Sequence, residues 1–460
     1  MKKIINSPVL MAIVIMFVLA SCNDDDDDGT PVSNPVTFEV TIENINPALP
    51  FYQSGIFNTP DGAAAPGPVL PGSGDTYTFT FNAGSNYVPG AVPRLSFLTM
   101  LVASNDLFLA PGENGIPLFD SNGDPLNGDI TDEIYLWDAG TEVNRMPGSP
   151  DQPGPSSDPA GSGTDENGLV TLLGGTGSEI SVEITTESGT GNYIYPPVDE
   201  LVRVTISNTG TVFTVTLENL SGSSNVPSPL SPGGFAIHIG DQILFAEGEA
   251  ERGNGIEEIA EDGITTVFAD YVGDNNGLIV PLSPGVFAVH DAGILPLFED
   301  GQNDYGDGLE AIAEDGDPSA LTTVLASVPG VTESGAFGSA PIGPGGSYQF
   351  TFTARPGDYL SWATMFVQSN DWIYTFDEEG VSLFNGNTPA SGDLTSLVKL
   401  YDTGTETDQY PGAGEDQAIR QPAADTGAPD ANVLVREITS PGDIIPATNE
   451  TIRVTIRVVN

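Results

Sequence analysis

Positive charge and cysteine are both scarce in this chain of 460 residues. Lysine and arginine together number 12, against 64 aspartate and glutamate residues, which gives a formal net charge of −52. Nucleic acids and anionic membrane surfaces are recognised by clustered basic side chains, so this composition excludes nucleic acid as a partner. Cys22 is the only cysteine. The chain therefore cannot form an internal disulfide.

Long apolar runs are also scarce. The run from Val9 to Ala20 follows Lys2 and Lys3 and is shorter than the roughly 20 residues that a membrane-spanning helix needs. It ends in Leu-Ala-Ser-Cys, which resembles a bacterial lipobox, where the cysteine is lipidated and becomes the new N-terminus. We therefore predict a lipoprotein signal peptide at residues 1–22 and lipidation of Cys22.

A run of aspartates follows the predicted lipidation site. Asp24 to Asp28 precede a stretch rich in Gly, Pro, Ser and Asn, which is typical of a solvated, self-repelling linker at residues 23–36. The same run resembles the surface-export signal of bacterial lipoproteins. The two interpretations are compatible. We expect an outer membrane lipoprotein, held by its lipid anchor and exposed on the cell surface.

Five sequence blocks occur twice in the same order. The longest pair is LSFLTMLVASND (95–106) and LSWATMFVQSND (360–371), which are identical at eight of twelve positions. The other pairs are FEVTIENI and FTVTLENL, YTFTF and YQFTF, LWDAGTE and LYDTGTE, and ELVRVTIS and ETIRVTIR. This order predicts two homologous domains, at residues 37–208 and 211–460.

The repeated blocks alternate apolar and polar residues. Period two is the pattern of half-buried strands, and the blocks are separated by turn-forming clusters in a chain with 55 Gly and 38 Pro. Many short strands with turns between them favour antiparallel β-sandwiches. We therefore predict an all-β protein made of two tandem sandwich domains.

A shorter repeat lies after the second copy of the first block. PLSPGGFAIH (229–238) returns as PLSPGVFAVH (281–290), and GIEEIAEDG (255–263) returns as GLEAIAEDG (308–316). We predict that the second domain alone carries a duplicated inserted unit, at about 225–273 and 277–326. Each unit is expected to hold one extended segment and one short helix.

Acidic residues recur at matching places in the two domains. They are Asp106, Asp138 and Glu142 in the first copy, and Asp371, Asp402 and Glu406 in the second. Calcium takes six to eight oxygen ligands, and carboxylates gathered without a cation would repel one another. The alternative is a solvated acidic turn, but the matched spacing argues against it. The sequence therefore predicts a calcium site in each domain.

The second domain resembles the spondin N-terminal domain family. FTVTLENL, SPGVFAVH, GLEAIAEDG, SWATMFVQSND and YDTGTET occur in this order across 213–407, and the first domain echoes three of them. The resemblance implies a C2-like sandwich, a calcium site in the loops at one end, and adhesion or ligand binding outside the cell. The last metal position of the family is usually Asp, whereas this chain has Glu142 and Glu406.

Three functions remain open from the sequence. The first is a non-enzymatic, calcium-stabilised lipoprotein that binds an extracellular protein or glycan. The second is a carbohydrate-binding protein beside a polysaccharide-uptake system, which exposed aromatics would favour; the only tryptophans are Trp137, Trp362 and Trp372. The third is an unrecognised hydrolase.

The two histidines, His238 and His290, occupy equivalent positions in the two repeat units. We interpret them as packing residues or, alternatively, as a catalytic dyad.

Overall fold

The computed structural model describes residues 35–84, 92–152, 161–440, 442 and 444–459. The predicted signal peptide, the lipidation site Cys22 and residues 23–34 of the predicted linker lie outside the described residues. Within them, 39% of the chain is strand and 11% is helix, in several antiparallel sheets. The predicted all-β sandwich fold is confirmed.

The described residues form 26 strands. The first thirteen are β1 (Val36–Asn44), β2 (Phe51–Phe57), β3 (Thr76–Asn82), β4 (Arg94–Leu101), β5 (Leu107–Pro111), β6 (Ile116–Pro117), β7 (Gly128–Asp129), β8 (Ile134–Asp138), β9 (Thr171–Gly174), β10 (Ile180–Thr186), β11 (Gly189–Tyr195), β12 (Val202–Thr209) and β13 (Val212–Asn219). The others are β14 (Leu230–His238), β15 (Leu282–Asp291), β16 (Val331–Phe337), β17 (Ser347–Ala354), β18 (Asp358–Phe366), β19 (Trp372–Thr375), β20 (Val381–Ser382), β21 (Phe384–Asn385), β22 (Thr388–Pro389), β23 (Gly392–Asp393), β24 (Lys399–Asp402), β25 (Arg436–Glu437) and β26 (Ile452–Val459).

Five short α-helices accompany the strands. They are α1 (Ile256–Asp262), α2 (Thr266–Asp274), α3 (Leu309–Asp315), α4 (Ser319–Leu325) and α5 (Thr448–Thr451). In the part of the chain that the structure describes, no helix has the length and apolar character needed to cross a membrane.

The strands build two sandwiches, which we call inner and outer. In the inner sandwich, the sheet β3-β13-β12-β7 packs on the sheet β2-β14-β4-β5-β8-β9. In the outer sandwich, the sheet β17-β1-β26-β23 packs on the sheet β16-β15-β18-β19-β24-β25. The period-two pattern explains the four-stranded sheets, because in β1 the side chains of Phe38, Val40 and Ile42 are buried while their neighbours are half-buried.

Helices cover the second face of each larger sheet. In the inner sandwich, Ile259 of α1 and Phe268 of α2 pack on a core that includes Leu98 of β4. In the outer sandwich, α3 and α4 form an equivalent layer over β15 and β18. Strand β4 is therefore buried on both faces, with seven of its eight residues buried.

The inner sandwich is inserted into the chain of the outer one. Strand β1 pairs with β17 and β26, so the first strand belongs to the outer sandwich. The chain then forms the inner sandwich from β2 to α2 and returns to the outer sandwich at β15. Where the chain crosses between the sandwiches, Phe51 N donates to Asn275 O and Gly277 N donates to Phe51 O.

The sheets do not follow the predicted division at residues 208 and 211. Strands β12 and β13, on either side of it, pair with each other over eight residues in one inner sheet. Each predicted repeat unit contains the expected extended strand and short helix, and also a second short helix that was not predicted, α2 or α4. However, the unit at 225–273 belongs to the inner sandwich and the unit at 277–326 to the outer one. The second domain therefore does not hold both units.

Candidate metal centres

The repeated Ser-Asn-Asp sequence forms the same tight turn in each sandwich. In the outer sandwich, the strand that precedes the turn, β18, ends at Phe366. In the outer sandwich, Ser369 Oγ donates to Phe366 O at 2.6 Å and accepts the N–H of Trp372 at 3.1 Å. The serine thus stabilises the turn, and the aspartate lies immediately before the next strand, β19. Between them, Asn370 Oδ1 accepts the N–H of Gln409 at 3.1 Å, so each of the three residues has a contact or position in the turn.

The aspartate of this turn is fully buried and only half satisfied. In the outer sandwich, Asp371 Oδ2 accepts the backbone N–H groups of Thr405 at 2.7 Å and Glu406 at 3.2 Å. Asp106 Oδ2 makes the matching contacts with Thr141 at 2.8 Å and Glu142 at 3.1 Å. Among the described residues, Oδ1 of each aspartate is buried with no hydrogen-bond partner. Such an oxygen is costly to bury unless something binds it.

A second aspartate closes each site from the end of the neighbouring strand. Asp402 lies opposite Trp372 in the β19–β24 ladder, and Asp138 lies opposite Leu107 in the β5–β8 ladder. Asp402 Oδ1 accepts the N–H of Gly404 at 2.7 Å. Gly404 has φ 69°, a left-handed conformation that favours glycine and lets the Asp-Thr-Gly-Thr-Glu segment turn sharply.

The clustered carboxylates disfavour one another's ionised forms. Burial, together with the charges of Asp371 and Asp408, raises the pKa of Asp402 to about 7. Burial and the charge of Asp138 raise the pKa of Asp106 well above its usual range. A cation at either site would therefore stabilise the ionised forms that burial and repulsion disfavour.

The predicted third ligand does not join either group. Glu406 Oε1 accepts the N–H of Gly427 at 2.7 Å, and its Oε2 accepts from Asn370 Nδ2 at 3.3 Å. Glu142 is held in the same way by the backbone of Gly163 and by Asn105. These glutamates therefore connect the Asp-x-Gly-Thr-Glu turn by hydrogen bonds to the segment that contains Gly427 or Gly163.

Asp408 takes the third place in the outer sandwich. Carboxylate oxygens of Asp371, Asp402 and Asp408 all lie within 4.8 Å of one another. Sequence reasoning missed Asp408 because its counterpart in the first copy is Asn144, so the repeat carries no matching acidic residue. Asn144 Nδ2 donates to Asp138 Oδ2 at 2.6 Å. The available sequence signal was its position, because Asp408 is an acidic residue only two positions after the predicted ligand Glu406.

We call Asp106 and Asp138 with Asn144 the inner site, and Asp371, Asp402 and Asp408 the outer site. Both contain a buried carboxylate oxygen without a partner in the described chain. Three carboxylates come together at the outer site, whereas the inner site has two, those of Asp106 and Asp138. Neither histidine is among these ligands. Oxygen-only donors on a turn suit a hard cation such as calcium or magnesium rather than zinc or copper. The residues present thus fit a divalent hard cation.

A second acidic group lies on the helical layer of the outer sandwich. Glu310, Glu314 and Asp425 bring carboxylate oxygens within 4.8 Å of one another. Burial raises the pKa of Glu314 to about 8, although a hydrogen bond from the Thr405 side chain opposes the shift. Gly161 takes the position of Asp425 in the inner sandwich, so this group is not repeated.

The histidines occupy equivalent buried positions. His238 Nδ1 donates to Gly240 O at 2.7 Å, and its Nε2 accepts from Ser96 Oγ at 2.8 Å. His290 contacts Asp291 O and Ser361 Oγ in the same way, each at 3.0 Å. The side chains are 0% exposed, so each histidine–serine pair is closed to a substrate. The arrangement fits the packing interpretation.

The three tryptophans are buried as well. Trp137 is 2% exposed, Trp362 is 0% and Trp372 is 7%. Trp372 Nε1 donates to Asp408 Oδ1 at 2.7 Å and thereby positions that carboxylate. Tryptophan therefore offers no exposed stacking surface for a sugar ring in this protein.

Comparison with known proteins adds no relative. No protein-family model matches the chain, and no curated protein matches it.

Proposed function

We propose that the protein is a non-enzymatic, surface-anchored lipoprotein whose two sandwiches bind calcium and which binds an extracellular protein or glycan. One observation carries the calcium part: in the described chain, Oδ1 of Asp106 and of Asp371 is buried without a partner beside a second carboxylate. A cation there would satisfy both oxygens and relieve the repulsion between the aspartates. Backbone N–H groups of the following turn hold the other oxygen of each aspartate, Oδ2, and thereby orient Oδ1.

Calcium is favoured over magnesium by the build of the sites. Each lies on a turn between strands and offers carboxylate oxygens, which suits the flexible six- to eight-fold coordination of calcium. Magnesium requires a smaller and more regular octahedron and sheds water reluctantly. We therefore expect magnesium to substitute poorly.

The anchoring and adhesion parts rest on the sequence. The lipobox-like segment ending at Cys22 and the aspartate run at 24–28 support a lipid anchor and surface exposure, and the resemblance to spondin N-terminal domains supports adhesion or ligand binding. A calcium-fixed loop cluster at one end of a rigid sandwich is a suitable platform for a partner, because binding residues are commonly carried on loops that a scaffold positions.

The calcium proposal is tested by thermal unfolding of the chain that begins at residue 23, with calcium or with a chelator. Calcium at a hundred times its Kd stabilises a folded protein by about 2.7 kcal/mol, so the chelator should lower the melting temperature. Asp371→Asn and Asp106→Asn should each reduce the difference. Asp75→Asn, which removes a charge from an exposed loop, should leave it unchanged.

The binding proposal is tested by arrays of glycans and matrix proteins, probed with the same chain in calcium and in chelator. A calcium-dependent signal that Asp371→Asn or Asp106→Asn reduces would support it. Turnover of a glycan or peptide by the protein would contradict the non-enzymatic assignment.

A further inference from the structure

The two sites differ at the residue that faces the second aspartate. In the ladder between β24 and β25, Asp402 is paired with Arg436. In the ladder between β8 and β9, Asp138 is paired with Thr171. The register therefore places a cationic side chain at the outer site and a neutral one at the matching place in the inner site.

Arg436 is fixed by several contacts. Its guanidinium forms an ion pair with Asp402 Oδ2 and another with Asp430 Oδ2 at 2.9 Å. It also donates to the backbone carbonyls of Asn432 at 2.8 Å and Leu434 at 3.2 Å. The side chain of Asp402 is only 3% exposed and that of Arg436 is 30% exposed, so solvent screens this pair only in part.

The guanidinium of Arg436 binds a carboxylate oxygen, Asp402 Oδ2, that a metal ion would use as a ligand. Asp402 Oδ1 already accepts the N–H of Gly404, and Arg436 holds the other oxygen. In the inner site the matching oxygen, Asp138 Oδ2, accepts from the neutral amide of Asn144. A cation entering the outer site must therefore share Asp402 with a positive charge, whereas at the inner site it meets only a neutral donor.

A compensating acidic residue accompanies the arginine. The outer site has Asp408 where the inner site has Asn144, and Asp430 where the inner site has Glu166. Replacing the pair Asn144 and Thr171 by Asp408 and Arg436 adds one negative and one positive charge. The formal charge is thus conserved, while the ligand set and the competition for it are changed.

From this difference we infer that Arg436 is a tethered cation that competes with calcium for Asp402 and sets a weaker affinity at the outer site than its three carboxylates would otherwise give. The inference rests on the proposed calcium binding. Opposite charges at close range in a partly buried setting interact strongly. Removing Arg436 should therefore tighten calcium binding at the outer site by at least about tenfold, equivalent to about 1.4 kcal/mol.

Calorimetric titration of calcium into the chain from residue 23 tests this, with one site silenced at a time. In an Asp106→Asn background, which silences the inner site, Arg436→Thr should lower the Kd of the outer site by at least about tenfold. In an Asp371→Asn background, Thr171→Arg should raise the Kd of the inner site by a similar factor. Asp408→Asn combined with Arg436→Thr should give the outer site the affinity of the inner one.

The control removes the same charge elsewhere. Arg203 pairs with Glu218 at 2.8 Å on the exposed side of the inner sandwich, and Arg203→Thr should change either Kd by less than about twofold. If Arg436→Thr leaves the outer Kd within twofold of its parent, or weakens it, the inference is wrong while calcium binding stands. If Arg436→Thr does not fold, the Thr171→Arg result decides, and an unchanged inner Kd overturns the inference. If neither background binds calcium, the proposed function itself fails.

Discussion

Arg457 donates a hydrogen bond to Glu39 at 2.7 Å across 418 residues of sequence. Strands β1 and β26, which carry them, pair over eight residues, so the two ends of the described chain close the outer sandwich. The inner sandwich is therefore an insertion in the chain between strands β1 and β15 of the outer sandwich. Strand β13 occupies the same position in the inner four-stranded sheet that β1 occupies in the outer one. The inner sandwich thus has its own equivalent of β1.

The nesting predicts which fragment folds alone. A fragment of residues 50–276 retains every strand of the inner sandwich and should unfold cooperatively in urea. A fragment of residues 37–208 lacks β13 and β14, each of which lies between two partners in its sheet, and should not fold. Dispersion of amide NMR signals distinguishes the two. A native-like spectrum from 37–208 would refute the nested arrangement.

The third carboxylate of the outer site predicts a contrast between two neighbouring residues. In an Asp106→Asn background, Asp408→Asn should weaken calcium binding about tenfold or more, because it removes a ligand. Glu406→Gln should weaken it less, since the Glu406 carboxylate already accepts from Gly427 and Asn370. Calcium titration measures both. A larger effect of Glu406→Gln would restore the glutamate as the ligand.

The buried histidines predict an acid-sensitive contribution to stability. Burial lowers the pKa of His238 and of His290 below the usual 6.5. The unfolded chain therefore takes up protons first as pH falls, so this stability is present above about pH 6.5 and is lost as pH falls toward the lower folded pKa values. In a tag-free chain, both histidine NMR signals should titrate below pH 6.5. A midpoint at or above 6.5 for both would contradict the prediction.

A close backbone approach predicts a strong effect of one methyl group. At Gly285, an added Cβ would lie 2.0 Å from the carbonyl oxygen of Ala363 on the paired strand β18. Gly285→Ala should destabilise the protein by about 1–3 kcal/mol, because a backbone atom cannot move aside cheaply. Gly343, where no heavy atom of the described chain lies within 4 Å of an added Cβ, is the control; Gly343→Ala should change stability by less than about 1 kcal/mol. Urea unfolding compares them, and equal effects would contradict the packing argument.

Much of the sheet structure could be predicted from the sequence. The alternation in Phe38, Val40 and Ile42 directly indicates a strand with one buried face, and that strand is present. The pairing partner could not be predicted in the same way. FEVTIENI and FTVTLENL have the same pattern of buried residues, so either strand fits either sheet, and the order of repeated blocks alone does not decide between tandem and nested domains. The sequence signal for nesting was that the first repeat unit, at about 225–273, directly follows FTVTLENL.

The site was predicted in part for a similar reason. The structure brings Asp371 and Asp402 together as expected, because the ends of neighbouring antiparallel strands meet at one edge of the sheet. Asp408 was missed and Glu406 was assigned in its place, because spacing shows which residues are near a turn but not which way their side chains point. Backbone N–H groups of a distant segment, such as Gly427, decide that direction.

The most direct test of the account locates the cation. Crystals of the chain from residue 23, grown with terbium as a calcium probe, should give anomalous difference peaks beside Oδ1 of Asp106 and Oδ1 of Asp371, and calcium in excess should displace them. Asp371→Asn should remove the outer peak and leave the inner one. Peaks confined to the group of Glu310, Glu314 and Asp425, or no peak beside either buried aspartate, would contradict the account.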